Sequence, residues 1–405
     1  MKRSTERILT SHAGSLPRPP DLIELNQQRI VAGVDIDPKV LEEKLRQGVQ
    51  DVVRRQVEVG VDIPNDGEYG HAMPSAVHYG AWWSYIFERL DGLELTTRGL
   101  FEATPPGPEP GRLTLTSMGN RRDRVQFAEA YADPDSGITV GKLPPTFPVC
   151  RRPLRYVGQA AVARDIANAK AALAAAGVED GFLNAVAPGS CARFLNEHYA
   201  TEEEFIWAAA DVLREEYKAI VDSGLMLQLD DPCIAENWDQ INPAPSVADY
   251  QRFTMVRVEA LNHAIRDLPT ERIRFHLCWG SWHGPHVTDL PMKDIVDVML
   301  KINAGTYLFE AGNVRHEHEW RVWREVKLPD GKVIVPGVVS HATNLVEHPE
   351  VVADRIVRFA EGVGRENVIA GTDCGLGGRV HPQLAWAKLE ALAQGAELAS
   401  QRLWS

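Results

Sequence analysis

Hydrophobic positions along this 405-residue chain alternate between two rhythms. Short β-branched or apolar runs ending in polar, Gly or Pro residues recur at ILTSH (8–12), VDIPNDGE (61–68), FLNAVAP (182–188) and LMLQLDDP (225–232). Four more follow at RIRFHLCW (272–279), TYLFEAG (306–312), VIVPGVVSH (333–341) and VIAGTDCG (368–375). All have the length and boundary residues of strands. Most are separated by Ala/Glu/Arg-rich segments with helical spacing, such as VLEEKLRQGVQDVVRRQVEVG, EEEFIWAAADVLREEYKAIVDSG and PEVVADRIVRFAEGVG. Strands alternating with helices predict a parallel sheet, and eight such units close into a (β/α)8 TIM barrel. An open doubly wound sheet is the alternative, but no Gly-rich dinucleotide or P-loop fingerprint follows an early strand.

The rhythm breaks at about 90–160, where TPPGPEPGR and several short strand-like pieces precede the helix ARDIANAKAALAAAG. We expect a single catalytic barrel domain over 1–405, with an inserted hairpin or loop region between strands two and three. Its aromatic lead-in HYGAWWSYIF (78–87) suits a lid, a contact between copies in a homo-oligomer, or ordinary packing.

A net charge of −13 opposes binding to nucleic acid or to an anionic membrane surface, so small molecules are the expected partners. Five scattered cysteines make no disulfide framework, which suits a reducing cytoplasm. The amino terminus has no apolar signal region, and no window is long and apolar enough to cross a membrane.

The sharpest chemical signal is His276-Leu277-Cys278, because alternate residues on a strand point the same way and bring imidazole and thiolate to one place. A borderline-soft ion such as zinc accepts both ligand types. Glu310 ends the next candidate strand and Cys374 the last one, where a barrel gathers functional groups from separate strands. The alternatives are a core HxC, a Glu310 paired with Arg315, and a small buried Cys374 in a tight Gly-rich turn. Zinc with two thiolates, a neutral imidazole and a carboxylate is formally anionic and a poor Lewis acid. Such a site suits holding a bound thiol as a nucleophilic thiolate better than activating water. The expected reaction is alkylation of sulfur.

HLCW, YLFEAG and GTDCGL, with SHAGSLPR near the start, NDGE at 65–68 and LQLDDP at 227–232, resemble the catalytic barrel of cobalamin-independent methionine synthase over most of the chain. The resemblance implies that His276, Cys278, Glu310 and Cys374 hold zinc, with Glu310 displaced by the incoming thiol. It also implies that Glu68 and Asp230 hold the ammonium of homocysteine, and that the backbone and hydroxyl around Gly14 and Ser15 receive its carboxylate. The two carboxylates could instead pair structurally with Arg18 and Arg152.

Two departures bear on the donor. The double-barrel members carry an additional amino-terminal barrel that helps to bind folate, for which this chain has no room, so the methyl donor, a reduced methylfolate in that family, stays open. Single-barrel relatives include epoxyalkane:coenzyme M transferase, in which a zinc-bound thiolate opens an epoxide. Coenzyme M carries only a sulfonate and would call for arginines such as Arg18, Arg152 or Arg193, whereas the acidic pair favours homocysteine. His341, in PGVVSHATN, falls near the family's proton-relay histidine and is the expected catalytic residue. Trp279, Trp282, His283 and His286 are expected to shape the pocket, and Cys150, Cys191 and Cys233 to be buried spectators. A metal-dependent hydrolase, a metal-independent lyase and a zinc-stabilised binding module are the rival classes.

Overall fold

The computed structural model describes residues 2–76, 78, 80–96, 113–138 and 147–405. TPPGPEPGR and Tyr79 lie outside the described residues. Among the described residues there are ten strands: β1 (Leu9–Thr10), β2 (Leu90–Thr96), β3 (Phe147–Tyr156), β4 (Phe182–Val186), β5 (Leu195–Asn196), β6 (Met226–Asp230), β7 (Ile273–His276), β8 (Thr306–Phe309), β9 (Val333–Val339) and β10 (Ile369–Thr372). Seven form a curled, all-parallel sheet in the order β1-β10-β9-β8-β7-β6-β4.

The gap between β1 and β4 is filled by the predicted second strand. The amides of Asp62 and Ile63 donate to Thr10 O, Phe182 N donates to Pro64 O, and Asn65 bridges Phe182 in parallel. Pro64 has no N–H to give a ladder, and the chain then turns at Gly67 and Glu68, so this stave stays extended without becoming a regular strand. Ile63, Phe182, Met226, Leu308, Val335 and Ile369 meet in one buried cluster, each from a different stave. Such a layer of inward-pointing side chains is what fills a closed barrel.

Helices cover the outside. Glu202–Asp222 starts where Thr201 accepts from Glu204 N, and it buries Phe205, Ile206, Ala209, Leu213, Tyr217 and Ile220, one face at helical spacing. Among the described residues no helix is long and apolar enough to cross a membrane.

The interruption after the second stave contains a hairpin. β2 and β3 pair antiparallel from Leu90↔Tyr156 to Thr96↔Phe147 with a bulge after Asp91, and β5 joins β3 in parallel. Gly92 has φ +100°, and a Cβ there would lie 2.8 Å from the carbonyls of Arg152 and Pro153, so the bulge needs glycine.

Candidate metal centre and substrate pocket

His276 closes β7, and Cys278 follows two residues later on the same face. Their ligating atoms and that of Cys374, just beyond β10, all lie within 4.8 Å of one another, and all three residues are buried. Asp230 is the parallel-register partner of His276, and His276 Nδ1 donates to Asp230 Oδ1 at 2.9 Å. That bond leaves Nε2 facing the loop of Cys374, 3.3 Å from Asp373 O. A carboxylate on the far nitrogen is the usual support of a metal-binding imidazole.

The Cys278 and Cys374 sulfurs are 3.9 Å apart. A disulfide needs about 2.05 Å, whereas two thiolates about 2.3 Å from one tetrahedral ion sit about 3.8 Å apart. The donor set therefore fits zinc. Cys278 donates to Cys374, which holds Cys374 below the usual thiol range, at about 6, and pushes Cys278 up. Burial by itself would lower His276, but the hydrogen bond and charge of Asp230 outweigh it and raise the imidazole to about 9.

Glu310 falls in an adjoining cluster, with ligating atoms of Glu310, His341 and Asp373 within 4.8 Å of one another. Its Oε1 accepts from Trp279 N at 3.0 Å and its Oε2 from Asn313 Nδ2 at 2.9 Å, so the carboxylate is tied to the residue next to Cys278. Arg315 donates to Val287 O, which answers the alternative that it pairs with Glu310. Burial raises Glu310 to about 8 and holds His341 well below the usual histidine range. His341 Nδ1 is buried with no hydrogen-bond partner.

A cavity of about 200 Å³ opens over this centre, lined by Ser15, Glu68, Asp230, His276, Cys278 and Cys374 among others. Glu68 has φ +59°, a conformation an ordinary side chain rarely adopts, and follows Gly67 at φ +69°. This turn delivers a carboxylate whose Oε2 is buried with no hydrogen-bond partner. Strain of that kind is retained where the surroundings require it. Burial raises Glu68 to about 8, with Asp230 adding to the effect. Asp230 is fully engaged on the barrel side, accepting from His276 and Gln228 on Oδ1 and from Asn184 on Oδ2. Gly14 makes room for both: a Cβ there would lie 2.2 Å from Glu68 Oε1 and 2.3 Å from Asn184 Nδ2.

Other expected residues have different places. Arg152 is 54% exposed and pairs with Asp91 on the hairpin, so it is no partner of Glu68 or Asp230. Arg18 is buried and donates to the backbone carbonyl of Glu68, to His71 O, to Leu16 O and to Ser15 Oγ. Arg193 lines the cavity but is held by Glu236 at 2.7 Å and Gln240 at 3.1 Å. Trp279 is core, donating to Leu290 O, whereas Trp282 lines the cavity under the Arg121 guanidinium, 4.0 Å from its ring centre. His283 bonds to the carbonyl of His341, and His286 to Asp289 and Trp282 O. Cys150, Cys191 and Cys233 are buried free thiols apart from the centre, Cys233 donating to Asp231.

Asp373, Asn184 and Arg379 join the site without a sequence motif that marks them. Asp373 Oδ1 accepts from Ala311 N and Gly312 N at 2.8 and 2.7 Å, which fixes the loop after Glu310. The only signal for Asp373 was its place beside Cys374, and Asn184 stood out solely as a polar residue in an otherwise apolar strand.

No family model matches the chain. It is 23% identical over 400 residues to a methionine synthase of Thermococcus kodakarensis, covering 97% of this chain and 94% of that protein. In fold it is similar to a B12-independent methionine synthase from Shewanella sp. W3-18-1 in complex with selenomethionine, with a TM-score of 0.70 and 20% identity over 98% of this chain and 99% of the other. It is likewise similar to the putative vitamin-B12 independent methionine synthase of Listeria monocytogenes, with a TM-score of 0.62 and 18% identity over 96% and 98% of the two chains.

Proposed function

From a chain that resembles the cobalamin-independent methionine synthases along its full length, we propose a zinc-dependent S-alkyltransferase that methylates homocysteine. The observation that carries this reading is a buried His/Cys/Cys centre, with sulfurs 3.9 Å apart, opening into the same cavity as an acidic pair. His276, Cys278 and Cys374 would hold the ion, with Glu310 as the exchangeable fourth ligand. The ion supplies the positive charge that keeps an acceptor's sulfur deprotonated near neutral pH, and the two cysteines keep that sulfur nucleophilic.

The remaining work belongs to the chain. Glu68 and Asp230 hold the acceptor's ammonium, which lowers the cost of two neighbouring buried carboxylates. Ser15 on the cavity wall, with the backbone of the adjoining Gly14, receives its carboxylate. The thiol proton is released as the sulfur binds, and His341, beside Glu310, passes a proton to the departing group while the methyl group moves from the donor to sulfur. A sulfonate acceptor such as coenzyme M fits less well, since it brings no cation for Glu68 and Asp230. A reduced methylfolate would serve as the methyl donor, whereas an epoxide belongs to the coenzyme M alternative.

Zinc X-ray absorption before and after adding homocysteine, on protein whose metal content has been measured, tests the reading. The expected result is stoichiometric zinc and a change from two sulfur neighbours to three. Stoichiometric zinc with no change on homocysteine, but a third sulfur on adding coenzyme M, would overturn the acceptor assignment. A zinc-free protein that still alkylates thiols would overturn the metal centre.

A further inference from the structure

Glu310 stands apart from the other three residues that would hold the ion. The ligating atoms of His276, Cys278 and Cys374 form one group, whereas those of Glu310 group with His341 and Asp373. Its carboxylate is well held there. Oε1 accepts from the backbone amide of Trp279 at 3.0 Å and Oε2 from Asn313 Nδ2 at 2.9 Å, so a neutral N–H meets each oxygen.

The turn that follows Glu310 fixes the orientation of Asn313. Asn313 Oδ1 accepts from the amides of Arg315 and His316 at 3.0 and 3.1 Å, which leaves Nδ2 to face the site. Its two hydrogens go to different acids, Glu310 Oε2 and, at 3.0 Å, Asp373 Oδ2. The other oxygen of Asp373 accepts from Ala311 N and Gly312 N, so the loop that carries Asn313 is tied to the segment that carries Cys374. Glycine at 312 permits the close approach, because a Cβ there would lie 2.9 Å from Val339 N. The loops after β7 and β8 thus build a fixed pair of donors beside the three-ligand group.

Ligand exchange needs such a place. A thiol that takes the position of Glu310 on the ion releases a buried carboxylate, and release without partners costs far more than release onto prepared donors. Resting on the zinc reading given above, we propose that Trp279 N and Asn313 Nδ2 form the seat that receives Glu310 when the acceptor's sulfur replaces it, and that Asn313 is a positioning residue setting how readily the exchange occurs. The same amide lies between Glu310 and Asp373, where one donor bridging two carboxylates offsets part of their repulsion.

Asn313→Asp tests the seat, because it keeps the Oδ1 that closes the turn, removes the donor and sets a third carboxylate beside two others. Glu310 should then stay on the ion. Titration calorimetry on zinc-loaded protein should show homocysteine bound roughly ten- to hundredfold more weakly than by wild type, the range of a hydrogen bond to a charged group. Zinc affinity, measured by competition with a chelator, should hold or rise. In a Glu310→Ala background there is no carboxylate to seat, so adding Asn313→Asp should leave homocysteine affinity nearly as it was. An equal loss in both backgrounds marks a merely structural role, and tighter homocysteine binding in N313D places Asn313 in support of the metal-bound carboxylate; either result overturns the seat. A crystal structure of the wild type with zinc and homocysteine needs no substitution, and should show Glu310 off the ion and on Trp279 N and Asn313. Glu310 still on zinc beside a third sulfur, or swung elsewhere, overturns the proposal and leaves the thiol chemistry standing. Zinc that gains no third sulfur from homocysteine overturns the acceptor reading and the seat with it.

Discussion

Individual residues at this site are chosen as much for the space they leave as for the groups they carry. Gly14 has φ +129° and sits where a Cβ would collide with Glu68 and Asn184. Gly14→Ala should therefore displace the Glu68 carboxylate, with roughly tenfold or greater loss of homocysteine affinity. Zinc content should be largely retained, since the atoms nearest the new methyl group belong to Glu68 and Asn184 and not to His276, Cys278 or Cys374. Calorimetry with metal analysis checks this, and unaltered affinity would mean that Glu68 does not hold the acceptor. HxC was legible in the sequence because strand alternation alone puts His276 and Cys278 on one face. Asp373 was not, because its work is to cap two amides of a neighbouring loop, and hydrogen bonds to backbone leave no trace in a sequence pattern.

At the level of elements, the segment after β2 is pinned to the barrel by buried charge. Glu236, on the short helix Cys233–Gln240, binds Arg121 from the inserted region and Arg193 from the loop after β4, while Asp239 takes the other side of Arg121. Burial would raise the Glu236 carboxyl, but Arg193 and Arg121 outweigh it and lower it to about 2 from a usual 4.5. A carboxyl depressed in the folded state stabilises the fold above its unfolded pKa, and that contribution is lost as pH falls from 4.5 toward about 2. Glu236→Gln should lower the melting temperature at neutral pH. The gap to wild type should narrow across that acid window, followed by calorimetric melts at stepped pH. A gap that is constant with pH would rule the pair out as a source of acid sensitivity. The sequence marked this region as an interruption from its Pro/Gly content, and the hairpin β2–β3 is what its strand-like pieces form. Its attachment through Glu236 depends on charges brought together from three distant segments.

For the whole molecule, the centre joins strand ends that are far apart in the chain, since Cys278 and Cys374 are separated by 96 residues. An ion bound only by the folded protein adds RT ln(1 + [L]/Kd) to stability. Removing zinc with a chelator should lower the melting temperature by several degrees, and restoring zinc should reverse it. In Cys374→Ser that response should shrink sharply, because one of the two thiolates is gone. A melting temperature indifferent to zinc in wild type would argue against an ion at this place.

Periodicity along the chain determined the order of staves and helices, and with them the end of the barrel at which Glu68, Asp230, His276, Glu310 and Cys374 emerge. Local physics suffices for that, because alternation, turn residues and helix spacing are properties of neighbouring residues. The tertiary structure alone decided that the two sulfurs stop 3.9 Å apart, that Arg152 belongs to a surface pair, and that Arg379 reaches the cavity. Those outcomes depend on contacts between residues remote in sequence, whose distances follow from how the barrel closes and from glycines that admit close approach.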